Sequence, residues 1–408
     1  MTDFFSKSFF AGNRARLRQL FPDLSLMVIT ANGLLQRSGD AAFTFHQDSN
    51  FWYLTGVEEP DIVLVIDGGE EYLIAPELSE YQNIFDDTTN DKALLKQSGV
   101  QTVLPGKEGW EKLSARLRDA KKMGILTPNE PYLETYGMYV NPARQNVVDK
   151  ILKASAHIET IDLRQQLASL RTVKQPVEVK AIQRAIDLTM DALKLAQQKL
   201  PKAAYEYELE AEVTGYMLRH GAADAWKPII ASGKKACTLH SHKNNAKLAH
   251  NELVVLDIGA EAGHYVADIT RTWAVGGTPT KRQQTVFDAV LAVQEFAFAL
   301  QKPGSTIRQN EQEVERFMGE KLRELGLIKT ESKEDIRKYF PHATSHFLGI
   351  DPHDAGDYER PLEPGVVLTV EPGIYIPEEG IGVRIEDDIL ITKNGHKVLS
   401  ERLPRTLA

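Results

Sequence analysis

The chain has 408 residues, a single cysteine, 42% hydrophobic and 26% charged residues, and a formal net charge of −9. That length exceeds one ordinary core and predicts two or three domains, and the composition is globular rather than disordered or collagenous. The acidic balance argues against a nucleic-acid partner, the lone Cys237 excludes an intrachain disulfide and a cysteine-based zinc site, and no run approaches about 18 apolar residues, so no membrane partner is expected.

The first stretch, MTDFFSKSFFAGNRARLRQL, lacks the apolar core of a signal peptide, and with the single thiol this predicts a cytoplasmic protein. Residues 1–172 read as an α/β domain. Phe9 to Leu20 has helical spacing, with Arg14, Arg16 and Arg18 among its polar residues. Leu24 to Thr30 and Ile62 to Ile66 are strand-like, and Asp67-Gly68-Gly69 before Glu71 to Ile74 marks a hairpin turn. Gly109 to Lys122 is a charged amphipathic helix. His46, in the aromatic stretch FHQDSNFWYLTG, reads as structural.

Pro176, in LRTVKQPVE, disfavours a helix running straight through and marks the boundary to a second domain, 173–408. Two amphipathic helices follow, Val177 to Leu200 and Glu206 to His220. His240 and His242 form an H-x-H pair that, on a strand, would share one face. Leu253 to Val275 reads LVVLDIGAEAGHYVADITRTWAV, two β-rich runs about Ala262-Gly263. A symmetric hairpin turning there sets Asp257 directly opposite Asp268. Like charges so opposed destabilise a sheet, and a cation between them is the arrangement that makes sense of the pair. Helices over Gln283 to Leu300 and Ile307 to Leu325 come next, then a polar loop or short helix over Glu331 to Tyr339.

PHATSHFLGIDPHD holds His342, His346 and His353. The i, i+4 spacing of the first two suits a helical zinc pair, but Pro341 and Gly349 argue against a helix. VVLTVEPGIYI and GVRIEDDILIT read as two strands carrying Glu371, Arg384, Glu386 and Asp388 among apolar neighbours. An ion pair from Arg384 to Glu371 or Glu386 would satisfy one glutamate and leave the remaining carboxylates unexplained.

The segments LDIGAEAGHYVADITRT, SHFLGIDPHD, LTVEPGIYIP and GVRIEDD together resemble the pita-bread metallopeptidases, which include methionine aminopeptidase, aminopeptidase P and prolidase. RLRQLF and FHQDSNFWYLTGVEEPDIVLVI are similar to the N-terminal domain of aminopeptidase P and prolidase. The resemblance implies an α/β N-terminal domain followed by an α+β pita-bread catalytic domain. It implies metal ligands at Asp257, Asp268, His346, Glu371 and Glu386, with Asp257 on one metal, His346 on the other and Asp268 and Glu386 shared. Such a donor set suits two divalent ions, Mn²⁺ foremost and Zn²⁺, Co²⁺ or Fe²⁺ as alternatives, roughly 3.5–4 Å apart with a bridging water that ionises near neutral pH. Glu371 carries over also as general base, His240 as a contact near the scissile bond, and His353 as the oxyanion stabiliser. His342 carries over to the proline-ring pocket, and Arg384 to holding a ligand carboxylate or the substrate's downstream part.

The sequence departs from the family in having Ser241-His242 where an aromatic commonly follows the first histidine. It also lacks an arginine-rich segment after the Tyr72 strand. The activity implied is release of the first residue from peptides with proline second, by a homodimer or homotetramer. A prolidase confined to Xaa-Pro dipeptides is the near alternative, and a non-catalytic pita-bread binding module is the alternative of another class.

Overall fold

The computed structural model describes residues 5–85, 89–126, 133 and 136–407. It divides into two compact units, Phe5–Leu170 and Arg171–Ala408. The first is built on strands β1 (Leu26–Thr30), β2 (Val63–Asp67), β3 (Glu70–Ala75), β4 (Thr102–Pro105), β5 (Lys122–Ile125) and β6 (Glu159–Asp162). They form one sheet in the order β4-β3-β2-β1-β5-β6. β2 is antiparallel to both neighbours, and the remaining pairs are parallel. The expected hairpin turn closes β2 onto β3 through Gly68-Gly69, with Asp67 paired to Glu70.

Helix α1 (Lys7–Leu20) packs on α2 (Ser49–Thr55) and α3 (Asp91–Ser98). Arg14 of α1 is fully buried. Its Nη1 donates to the carbonyls of Leu54 (2.7 Å) and Ser98 (2.9 Å), and its Nε to Glu71 Oε2 (2.8 Å). The guanidinium thus satisfies the open C-terminal carbonyls of two helices with one charge, and Glu71 neutralises it.

The second unit repeats one plan twice, a β-hairpin covered by a pair of long helices. The first hairpin joins β7 (Leu253–Ile258) and β8 (Ala260–Ala262) to β9 (Tyr265–Val266) and β10 (Ile269–Ala274). Ile229–Ser232 lies alongside β7, and helices Pro176–Lys199 and Glu206–Arg219 pack over it. Pro176 is the first helical residue, where a missing N–H costs nothing. The register corrects the expected one. Asp257 faces Thr270, not Asp268, and the turn is Gly263-His264, not Ala262-Gly263. Both turn residues have positive φ, 62° and 66°, as a two-residue hairpin turn matched to strand twist requires. Moving the turn by one residue slides every pair by two.

The second hairpin joins β11 (Val367–Val370) and β12 (Gly373–Ile376) to β13 (Ile381–Arg384) and β14 (Asp387–Thr392), with β15 (Gly395–Val398) beyond. Helices Lys281–Leu300 and Ile307–Glu324 pair with each other, the former lying over these strands. Val290, Val293, Leu368, Val370, Ile374, Val383, Ile385 and Ile389 form the core between. The expected polar segment after them contains a helix, Lys333–Tyr339. The two strands expected to be continuous are each interrupted, at Glu371-Pro372 and Ile385-Glu386.

Candidate metal centre

Each hairpin opens at one place, and an acidic side chain stands at each opening. In the first, the pairing keeps one register on both sides of the gap, so Gly259 and Asp268 face each other in it. A Cβ on Gly259 would lie 2.0 Å from the Ala267 carbonyl oxygen and 2.5 Å from the Trp226 ring, so only glycine lets the strands approach here. The Asp268 N–H leaves the ladder and donates to Asp388 Oδ2 (3.1 Å). The second hairpin also keeps one register across its gap, which sets Glu371 opposite Glu386 and Pro372 opposite Ile385. Pro372 has no N–H for the ladder. The directly opposed like charges expected of Asp257 and Asp268 therefore belong to Glu371 and Glu386.

Two further docking events complete the cluster. Glu386 N–H donates to the Thr270 carbonyl (3.1 Å) and its Oε2 accepts from Thr270 Oγ1 (2.6 Å), tying the second hairpin to the first. Residues 344–348 run irregularly beside β11, through Glu371 N to Thr344 O (2.8 Å), Thr369 N to His346 O (3.0 Å) and Leu348 N to Val367 O (3.1 Å). No helix joins His342 and His346. His346 Nε2 comes to 3.4 Å from Glu371 Oε1 and 3.6 Å from Asp268 Oδ2. One atom each from Asp268, His346 and Glu386 fall within 4.8 Å of one another.

Asp268, His346 and Glu386 are buried. Burial foremost, then Glu386 and Asp257, pushes Asp268 well above the carboxylate range, and burial with Glu386 does the same to Glu371. Burial and the Asp257 charge push Glu386 to about 8. Asp257 Oδ1 is buried and has no hydrogen-bond partner among the described residues. Clustered buried carboxylates with an orphaned oxygen fit a divalent cation, which would satisfy that oxygen and cancel the repulsion. His346 fits as well. Its Nδ1 sits 3.1 Å from the Phe347 carbonyl and donates to it, and burial holds the ring neutral with a pKa near 3, so the Nε2 lone pair faces the carboxylates.

The other predicted residues surround this cluster. Arg384 Nη2 donates to Asp257 Oδ2 (2.5 Å), so its ion pair is neither Glu371 nor Glu386. Its Nη1 donates to the Tyr375 hydroxyl oxygen (2.9 Å), which lies 2.8 Å from His342 Nε2. Arginine can only donate, so the Tyr375 proton goes to His342 Nε2, and His342 Nδ1–H goes to the Ala343 carbonyl (2.8 Å). The tautomer of His342 is thereby fixed, and burial and Arg384 lower its pKa to about 3. The His353 ring stacks on His346 with centroids 4.0 Å apart. Its loop is anchored where Asp354 pairs with Arg171 and with Lys174 (3.0 Å). His240 and His242 are not on a strand. They follow a 3₁₀ turn, their rings 5.9 Å apart, and burial lowers the pKa of His240. Cys237 donates to the Ile381 carbonyl (3.3 Å), and burial raises its pKa to about 11, an inert thiol.

From the sequence, Tyr375 and Thr270 carry no assigned role, and Asp388 is visible only as one more strand carboxylate. The tyrosine stood in plain view in VEPGIYIP; the signal was a phenol two residues from a polar break in an apolar strand.

Two family models match the chain. Metallopeptidase family M24 covers residues 180–393, and the N-terminal domain of aminopeptidase P covers residues 10–125. The chain is 34% identical to Xaa-Pro aminopeptidase 3 of Rattus norvegicus, over 93% of this chain and 78% of that one. It is 33% identical to Xaa-Pro aminopeptidase of Escherichia coli, over 98% and 96%. The structure of E. coli aminopeptidase P with the inhibitor Pro-Leu superposes with a TM-score of 0.88 at 32% identity, covering 98% of this chain and 96% of that one. The fold expected from the resemblance, an aminopeptidase P N-terminal domain before a pita-bread domain, is the fold these relatives share. The chain belongs to metallopeptidase family M24.

Proposed function

We propose that the protein is an Xaa-Pro aminopeptidase, releasing the first residue of peptides whose second residue is proline. The observation that carries the reading is the convergence of Asp268, His346 and Glu386, drawn from two opened hairpins and one edge segment, with Glu371 beside His346 and an unsatisfied buried oxygen on Asp257. Relatives named for this activity align over nearly the whole chain, which favours it over a prolidase. The complete set of ligand types argues against a non-catalytic module.

In this reading the five side chains hold two divalent ions, Mn²⁺ best matching an oxygen-rich set with one imidazole, and Zn²⁺, Co²⁺ or Fe²⁺ also suited. Such ions supply Lewis acidity toward a carbonyl and acidify water. The chain's own groups do the rest. Glu371, held at a strand break beside His346, is placed to accept a proton and pass it to the leaving nitrogen. His353 and His240, both held neutral by burial, present N–H groups to the developing oxyanion and the substrate near the scissile bond. His342, with its tautomer locked, lines the site for the proline ring. The imide nitrogen of that ring has no N–H, so recognition rests on shape rather than on a hydrogen bond to it. Arg384 holds Asp257.

The reading extends to a cytoplasmic enzyme, supported by the lone inert thiol, and no described helix is long and apolar enough to cross a membrane. Self-association as a dimer or tetramer is supported by the exposed apolar side chains of Leu34, Leu35 and Phe43. The test is digestion with Mn²⁺ of an Xaa-Pro-Xaa tripeptide and an Xaa-Pro dipeptide in separate reactions, followed by mass spectrometry. Release of the first residue from the tripeptide is expected. Cleavage of the dipeptide alone would make the protein a prolidase, and cleavage of neither would overturn the proline specificity.

A further inference from the structure

At the Glu371/Glu386 break Ile385 N–H still donates to the Pro372 carbonyl (3.3 Å), but Pro372 has no N–H to return, so the Ile385 carbonyl lacks its ladder donor. Val370 precedes the gap on one strand and Ile385 lies within it on the other, and both are buried. Both carbonyls are taken up by one side chain. Gln294 is fully buried, on the helix Lys281–Leu300 behind the hairpin. Its Nε2 donates to Val370 O (3.1 Å), Ile385 O (3.2 Å) and Asp387 Oδ2 (3.0 Å). Its Oε1 accepts from Arg405 Nη1 (3.2 Å), which fixes which end of the amide faces the strands.

We propose that Gln294 is a positioning residue for the metal centre. Its amide supplies the donor that Pro372 lacks and fixes to one helix the strands that carry Glu371 and Glu386. The inference rests on the reading that these glutamates hold divalent metal. A side-chain amide that reaches one carbonyl from each strand ties both strands to the helix behind them, where the Ile385–Pro372 bond alone leaves the break one ladder bond short. An apolar residue would leave the buried Ile385 carbonyl and Asp387 short of a donor, and the break would relax. Nothing in the sequence marks this glutamine; it is one polar residue on an apolar helix face.

The test compares metal-stripped wild type, Gln294→Met and Val293→Ala for Mn²⁺ affinity by competition with a chelating dye, alongside thermal melts. Val293 is the neighbouring fully buried core residue, so its truncation destabilises the same helix without touching the gap. Gln294→Met is expected to bind Mn²⁺ about tenfold or more weakly, the usual cost of losing a partner behind a ligand. Val293→Ala should stay within about twofold while melting lower. Equal affinity of Gln294→Met and wild type, or an equal loss in Val293→Ala, overturns the proposal. If Gln294→Met is insoluble, Arg405→Met carries the test. It removes the bond that orients the amide, together with the guanidinium's contact over the Phe298 ring away from the gap, and weaker Mn²⁺ binding supports the proposal while unchanged binding overturns it. A wild type that binds no divalent ion would instead overturn the metal reading itself, and this inference with it.

Discussion

Stripping the metal should leave protons behind on the carboxylates, and their release can be counted. Burial and the Asp257 charge raise Glu386 to about 8 without metal. At pH 6.5 its carboxyl is almost fully protonated; at pH 9 it is about nine-tenths ionised. Metal binding must displace that proton, so about 0.9 more proton should leave per molecule at pH 6.5 than at pH 9, and the raised Asp268 and Glu371 can only add to this. The same displacement weakens apparent affinity by roughly 1.5 pH units' worth, about 2 kcal/mol or 30-fold, at pH 6.5 relative to the alkaline limit. His346, already neutral above its pKa near 3, contributes nothing in this window.

The assay is isothermal titration of stripped protein with Mn²⁺ in buffers of different ionisation enthalpy at the two pH values. Water acidified by the metal releases its proton in the opposite sense, more at pH 9 than at pH 6.5, and its share is taken from the pH profile of turnover and subtracted. An equal proton count and equal affinity at both pH values would refute the reasoning. The linkage has a matching sign in stability. Glu386 is raised in the fold, so the metal-free fold loses stability as pH rises from the unfolded value through about 8. His342 and His346 are depressed and act oppositely below about pH 6.5, so the fall should be cleanest between pH 6.5 and 8.

Tyr375→Phe leaves Arg384 Nη1 and His342 Nε2 unpaired, and should cost about 2–4 kcal/mol of stability with a loss of kcat/KM. Denaturation and steady-state kinetics on a proline tripeptide would check it. Arg171→Met leaves buried Asp354, which burial opposes and Arg171 and Lys174 hold ionised below the usual range, with Lys174 alone; a loss of about 3 kcal/mol is expected. Metal content should survive that change while turnover falls, because the loop it frees carries His353 and no ligand. Gly259→Ala drives a methyl into the Ala267 carbonyl and should cost about 3 kcal/mol or more, read as loss of soluble protein or a lowered melting temperature.

The candidate ligands were legible because a carboxylate or histidine inside an apolar strand-like run has few innocent explanations. How they meet was less so. Ala262-Gly263 and Gly263-His264 are both acceptable turn dipeptides, and choosing the wrong one moved Asp268 two places along the ladder. Pro372 was the visible sign that β11 could not run through Glu371, yet β-propensity on both sides outweighed it. The H-x-H spacing at His240 mimicked a strand, although Gly233 before it and Asn244 after it, both at positive φ, bend that segment. Arg384 invited pairing with glutamates near it in sequence, while its partner Asp257 lies 127 positions away. Such choices are made by tertiary contacts that no local pattern records.

The shared register across the Glu371/Glu386 gap also says where this chain can tolerate insertions and deletions. The tip of the second hairpin, Pro377 to Gly380, is a turn whose first three residues are exposed. Residues added there lengthen a solvent-facing loop and leave the opposed glutamates where they are. One residue added to a single arm, at β12 or β13, would slip one strand past the other and turn its side chains to the opposite face. Added singly to both arms, the two slips compensate and Glu371 again meets Glu386. The hairpin is therefore open to grafted recognition loops at its tip and intolerant of unpaired length changes nearer the metal.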